Sequence, residues 1–219
     1  MKYEKPVLLD GAELIFERGF THEGRTVLHA SVRLPQCRGH DSRTRRIDRY
    51  YERMARSYLK YCELFAAGQA QRALTDTDAP CVRAELTYRK TLSQEGLCSL
   101  YIDAAERGGV PPRLIVRRGD TWDLHEGYPL PLSAFCSEKN IRRLLLRAAY
   151  EQAKCQQAAG VAEYYGNLTA RLRRSFNAEN FYLTPDTFCW FYQMYAIAPA
   201  MEGIPVFSLP FDGTRIILP

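Results

Sequence analysis

The chain lacks the spacings from which most metal and nucleophilic sites are built. Its seven cysteines, at 37, 62, 81, 98, 136, 155 and 189, never come closer together than 17 residues. That spacing excludes a Cys-x-x-Cys knuckle and a zinc pattern. An odd number of thiols, scattered and mostly inside apolar runs, is expected to be reduced and buried as small core residues. Histidine is scarce, with four in 219 residues, and His22, His29 and His40 stand apart from one another in sequence. There is no nucleophile elbow and no phosphate loop. No apolar run is long enough to cross a bilayer, and the first ten residues lack the apolar core of an export signal. As written, the sequence is expected to be soluble and cytoplasmic. Lysine is also sparse, at six of the thirty cations. Arginine, with its planar and weakly hydrated guanidinium, pairs with carboxylates inside a fold as readily as it meets a partner. A net charge of +5 and a pI of about 8.8 fall short of a dedicated nucleic-acid domain. No nucleic-acid partner, metal or cofactor is expected.

What the chain does have is aromatic surface. Aromatics make up 12% of residues and fourteen of them are Tyr, whose apolar body and polar tip suit half-buried sheets and interfaces alike. Residues 12–20 and 25–34 alternate as two strands around His22-Glu-Gly24, an opening hairpin. From Arg43 to about Ala67 apolar side chains recur with helical spacing at Ile47, Tyr50, Tyr51, Met54, Tyr58, Tyr61, Cys62 and Phe65, with Gly68 expected to end the helix. Strands are predicted at 81–91, 97–105 and 113–123. Ser93-Gln-Glu-Gly96 turns between the first two, and the Gly/Pro-rich 107–112 links the second and third. A second helical region begins near Glu138, buries Ile141, Leu144, Leu145, Ala148, Ala149, Gln152 and Cys155, and breaks into two pieces at Gly160 and Gly166. The last forty residues return to strands: Phe181-Tyr-Leu-Thr-Pro-Asp-Thr-Phe-Cys-Trp-Phe-Tyr192 turns at Thr184-Pro-Asp-Thr187. Tyr195 to Gly203 then forms a hinge, and a final extended run from 206 to 218 breaks at Asp212-Gly213. Strands, helix, strands, helix, strands is an α+β order, predicting antiparallel sheets packed against two long helical regions. Two halves are expected, 1–110 and 111–219, within one compact unit.

Three of these stretches resemble the RsiV/PdaC-type domain family, which includes the sensor domain of a lysozyme-responsive anti-sigma factor and a non-catalytic domain of a peptidoglycan deacetylase. They are Glu95-Gly-Leu-Cys-Ser-Leu-Tyr-Ile-Asp103 with Gly108-Gly109, Thr121-Trp-Asp-Leu-His-Glu-Gly-Tyr-Pro-Leu-Pro-Leu132, and Phe181-Tyr-Leu-Thr with Tyr195-Ala-Ile-Ala-Pro, Gly203 and 206–210. The likeness covers roughly 80–217 and is one of pattern before that. It implies a binding or sensor module of the cell envelope that recognises a protein or a cell-wall component. The family's glycine loop usually continues as Ala-His-Gly, whereas Gly109 here precedes Val110-Pro-Pro-Arg113, so any role of that His is absent. The family usually lies outside the membrane.

Four places could carry function, each with a plainer explanation beside it. The glycine loop with Gly108 and Gly109, and the turn at Trp122 and Asp123, are expected contact points by that resemblance. Asp123, His125 and Glu126 could serve a hydrolase as acid and base, although Asp123 at the start of a loop is also an ordinary turn residue. The helix stripe Arg49, Arg53, Arg56 and Lys60 could meet an acidic partner, or simply be a solvated face. The segment 195–203 is stiffened by Pro199 and Gly203 and could present Tyr195, Ile197 and Met201, or merely close the sheet.

Overall fold

The computed structural model describes residues 12–37, 41–75, 81–94, 96–108, 114–136 and 140–218. The protein is a mixed α+β fold. In chain order its elements are β1 (Ala12–His22), β2 (Arg25–Gln36), α1 (Ser42–Thr75), β3 (Val82–Gln94), β4 (Leu97–Arg107), β5 (Leu114–Asp123), β6 (Tyr128–Pro129), α2 (Ile141–Ala158), α3 (Leu168–Ser175), β7 (Phe181–Leu183), β8 (Thr187–Phe191) and β9 (Val206–Pro210). The first six strands form one sheet in sequence order, and the last three form a second. The chain divides into two compact units that each draw on several segments. The first takes in residues up to 89, 102–114 and 123–128; the second takes in 90–101, 115–122 and 129 onward.

In the first unit, the opening hairpin turns where the sequence places it. Glu23 and Gly24 sit at φ 49° and 79°, the paired left-handed conformation that matches the twist of the strands it joins. β2 buries every second residue, Leu28, Ala30, Val32 and Leu34, and β3 does the same with Val82, Ala84 and Leu86. These faces align because β2 and β3 pair in register, Leu28 with Val82 and Val32 with Leu86, but in parallel. The expectation of purely antiparallel sheets is therefore corrected at this junction. The cause is α1: a long helix between two neighbouring strands carries the chain back to the end where the first strand began, so the second runs the same way.

α1 is longer than its sequence suggests, running 34 residues and passing through Gly68. That glycine is exposed and flanked by Ala66, Ala67, Gln69 and Ala70. One glycine costs about 1 kcal/mol of helix propensity, which good neighbours absorb. The helix starts on Asp41, whose carboxylate accepts the backbone N–H of Thr44 at 2.8 Å. It buries Thr44, Ile47, Tyr51, Ala55, Tyr58, Cys62 and Ala66, a stripe at three- and four-residue spacing. Tyr61 departs from the expected face: it is 43% exposed and hydrogen-bonds Glu106.

The second unit is organised around the sheet β7, β8 and β9, antiparallel at both junctions. β7 and β8 read as nearly unbroken apolar runs because both of their faces are covered, whereas β9 at the edge buries only Phe207 fully. On one side Phe181, Leu183, Phe188, Trp190 and Phe207 pack with Phe135, with Leu145, Ala149 and Ala153 of α2, and with Leu168 and Leu172 of α3. On the other, Tyr182, Cys189 and Phe191 meet Tyr101, Ile204 and Val206. Phe181 stacks on Phe188 at 5.3 Å between ring centroids.

This core is not fully satisfied. Trp190 Nε1 and the Tyr192 hydroxyl are buried with no hydrogen-bond partner among the described residues, and burial pushes the Tyr192 hydroxyl's pKa up despite the Arg142 charge that lowers it. A buried, unbonded hydroxyl costs more than it contributes. Tyr192→Phe is therefore expected to raise the unfolding free energy by about 1 kcal/mol, readable as a higher denaturation midpoint. A lower midpoint would mean the hydroxyl has a partner in solution.

The cysteines divide by environment. Cys37, Cys62, Cys98 and Cys189 are buried and Cys136 is half-buried, but Cys81 and Cys155 are exposed, and none is bridged. The expectation of seven core thiols fails at those two positions. Cys155 lies two residues beyond the buried Ala153, which turns it about 200° around the helix. Burial pushes the thiol of Cys62 up to about 11 and that of Cys98 up to about 12. Because the thiolate is the reactive form, native alkylation at neutral pH is expected to label Cys81 and Cys155 first and to leave Cys62 and Cys98 unlabelled until the chain unfolds. Peptide mass mapping reads the order directly.

Candidate functional site

The turn after β5 is closed by Asp123, through its side chain and its carbonyl. Asp123 Oδ1 accepts the N–H groups of His125 at 2.8 Å and Glu126 at 3.1 Å, and its carbonyl accepts Gly127 N–H at 2.7 Å. Gly127 holds φ 70°, and a Cβ there would sit 3.0 Å from Arg43 Cα, so the turn lies directly on the first turn of α1. Arg43 and Arg46 reach across to the carbonyls of His125 and Glu126 at 3.2 and 2.9 Å, and the Arg46 guanidinium lies 3.8 Å from the Tyr128 ring centroid. Asp123 and His125 therefore do not share a strand face; β5 ends at Asp123, and the carboxylate is used to close the turn. Trp122, expected as a contact residue, is only 1% exposed. It is a core side chain, which corrects that expectation.

Gly108 is exposed at φ 87°, where a Cβ would lie 3.3 Å from the Cys81 carbonyl oxygen, and Gly109 lies outside the described residues. The stripe Arg49, Arg53, Arg56 and Lys60 faces solvent as expected. Its guanidiniums fold back on the helix. Arg49 bonds the Arg45 carbonyl at 3.0 Å, Arg53 bonds the Arg49 carbonyl at 3.2 Å, and Arg56 pairs with Glu52 at 3.2 Å. A cleft of about 420 Å³ lies among Arg46, Arg49, Glu52, Arg53 and Arg56.

The segment after β8 is a stiff, anchored loop. Its entry is fixed by Gln193, whose amide side chain imitates a strand: Oε1 accepts Arg117 N–H at 2.9 Å and Nε2 donates to the Arg117 carbonyl at 2.6 Å. Tyr195 is held at φ 67°, a conformation that costs a non-glycine residue on the order of 1 kcal/mol. Ile197 is fully buried, so it anchors the loop rather than being presented, a correction to its expected role. Its carbonyl accepts Tyr165 N–H at 3.0 Å, and Glu202 Oε1 accepts Glu163 N–H at 2.9 Å. Those two bonds bring the 161–165 segment alongside. What the loop exposes is Tyr195, at 39%, and Met201, at 97%.

One site was not legible in the sequence. α2 and α3 line an open cleft of about 900 Å³, comparable in volume to ligand sites. Arg143, Arg147 and Tyr150 of α2 line it at four- and three-residue spacing, with Arg173 of α3 opposite and Leu146 and Leu172 between. Arg142 ties the helices together, donating to the Arg173 carbonyl at 3.1 Å with its guanidinium 5.6 Å from the Phe176 ring centroid. The sequence signal available was the run of arginines beside the expected buried stripe of α2.

Among the described residues no cluster of His, Cys, Asp and Glu could hold a metal ion, and no helix is long and apolar enough to cross a membrane. The fold thus defines an α+β domain with exposed loops and basic clefts. Residues 137–212 match the DUF3298 family, a protein of unknown function. The whole fold is similar to a crystal structure of a DUF3298 family member from Bacteroides fragilis NCTC 9343. It is 13% identical, covers 94% of this chain and 92% of that one, and has a TM-score of 0.69. It is also similar to a DUF3298 family protein from Pseudomonas aeruginosa PAO1, with 15% identity, 92% of each chain covered and a TM-score of 0.58. No curated protein matches the chain.

Proposed function

We propose that this protein is a non-catalytic recognition domain, related to the RsiV/PdaC type, whose partner is a protein or a cell-wall component. The observation that carries this reading is the exposure of Met201, at 97%, on a loop whose neighbours are buried or hydrogen-bonded. A large apolar side chain displayed in water by a stiff loop binds with little further backbone ordering, which is how preorganised loops gain affinity. The role of Asp123 in closing its turn also favours recognition over acid–base chemistry at that position.

The test compares the intact protein with a double variant, Met201→Asp with Tyr195→Ala, against purified cell-wall sacculi and solubilised envelope proteins. Retention of one component by the intact protein, reduced at least about tenfold in the double variant, is the expected result, as for residues at the centre of an interface. Equal retention by the variant removes the loop from the contact. Retention of nothing by the intact protein overturns the reading.

A further inference from the structure

We propose that the cleft between α2 and α3 binds a short acidic peptide in extended conformation, with carboxylates on Arg143, Arg147 and Arg173 and an apolar side chain between Leu146 and Leu172. The cleft shares no residue with the 193–203 loop, so the two proposals stand or fall separately.

The first argument is charge. Four guanidiniums, of Arg142, Arg143, Arg147 and Arg173, line this cleft, and among the described residues no carboxylate does. Arg143 and Arg173 have no ion-pair partner among the described residues. Arg147 is paired only with Glu151 across exposed surface, at 2.8 Å. Such a pair exchanges for a ligand carboxylate at little cost. Arg142, fixed on the Arg173 carbonyl, sets the spacing of the two walls. Planar forked donors recognise carboxylates with two parallel hydrogen bonds, which suits this arrangement better than a lysine cluster would.

The second argument is length. Arg143 and Arg147 are one helical turn apart, about 6 Å along the axis. In an extended peptide, side chains two residues apart are separated by about 6.6 Å on one face. Carboxylates at alternate positions would therefore meet successive arginines. Leu146 and Leu172 provide the apolar floor. A fatty acyl chain would need an apolar tunnel clear of charge, and a free phosphate would need the guanidiniums to converge on one point. Here they are spread along the helix with apolar side chains between.

The experiment uses fluorescence anisotropy with the full chain and a labelled peptide Glu-Leu-Glu-Leu-Glu-Leu, whose carboxylates fall at alternate positions, alongside its Gln-for-Glu analogue and anionic phospholipid vesicles. Binding of the acidic peptide, several-fold weaker when salt rises from about 0.05 M to 0.3 M, is expected. Arg143→Glu and Arg173→Glu should each weaken it at least about tenfold, while Arg83→Glu, exposed on β3, should leave it within about twofold. Arg143→Lys keeps the charge and loses the fork, and should fall in between. All variants change exposed side chains, and circular dichroism confirms their folding. No binding of the acidic peptide, equal binding of the Gln analogue, a loss with Arg83→Glu as large as with Arg143→Glu, or vesicle binding that alone depends on Arg143 and Arg173 would each overturn the proposal.

Discussion

Gly119→Ala is expected to lower the unfolding free energy by roughly 3 kcal/mol or more, at the upper end of what overpacking costs. A Cβ on Gly119 would lie 1.7 Å from the Phe181 carbonyl oxygen and 2.7 Å from its carbon. The obstacle is backbone, so no rotamer change relieves it; β5 and β7 must separate. Phe181 is also a core residue, stacked on Phe188 and packed on Phe135, and displacing its carbonyl displaces its ring. For a chain of this length the melting temperature should fall by about 6–12 °C. Gly166→Ala, with nothing within 4 Å of its added Cβ, is the comparison. If both variants melt within a degree or two of the parent, the close approach of β5 and β7 is not present in solution.

The second large effect is expected at Ser99. Its hydroxyl is fully buried, accepts the Leu183 N–H at 2.8 Å and shares a 2.8 Å hydrogen bond with Thr121 Oγ1. Three segments of the chain meet at that oxygen. Ser99→Ala removes it while leaving a buried N–H and a buried hydroxyl unpaired, so the cost is about 2–3 kcal/mol rather than that of one ordinary bond. Chemical denaturation should show a lower midpoint with an unchanged slope. Ser93→Ala, on an exposed position of β3, should stay within about 0.5 kcal/mol. A Ser99 variant as stable as that control would mean another group takes over the Leu183 N–H.

Both positions bear on what the chain alone reveals. An isolated glycine within a strand pattern marks a close backbone approach, so Gly119 carried a signal even though its distant partner, Phe181, did not. The contact surfaces were less legible. Trp122 and Ile197 lie in the stretches that carry the family likeness, yet both are buried. Alternation shows which residues share a face, but a strand with both faces covered buries all of them. Tyr195 and Met201 are exposed because Ile197 between them anchors the loop, and nothing local in the sequence separates those roles.

Features with local causes are legible in the chain alone. The turn at Glu23 and Gly24 needs left-handed residues, the turn at 123–127 needs an acceptor at its head, α2 stops where Gly160 takes φ 66°, and the buried stripe of α1 follows from helical periodicity. Long-range packing set the parallel pairing of β2 with β3, the continuation of α1 through Gly68, the exposure of Cys81, and the arginine-lined cleft of α2 and α3. These depend on which segments, distant along the chain, pack together. Local propensity contributes about 1 kcal/mol or less per residue to that choice, whereas burying a large apolar side chain contributes about 1.5–3 kcal/mol.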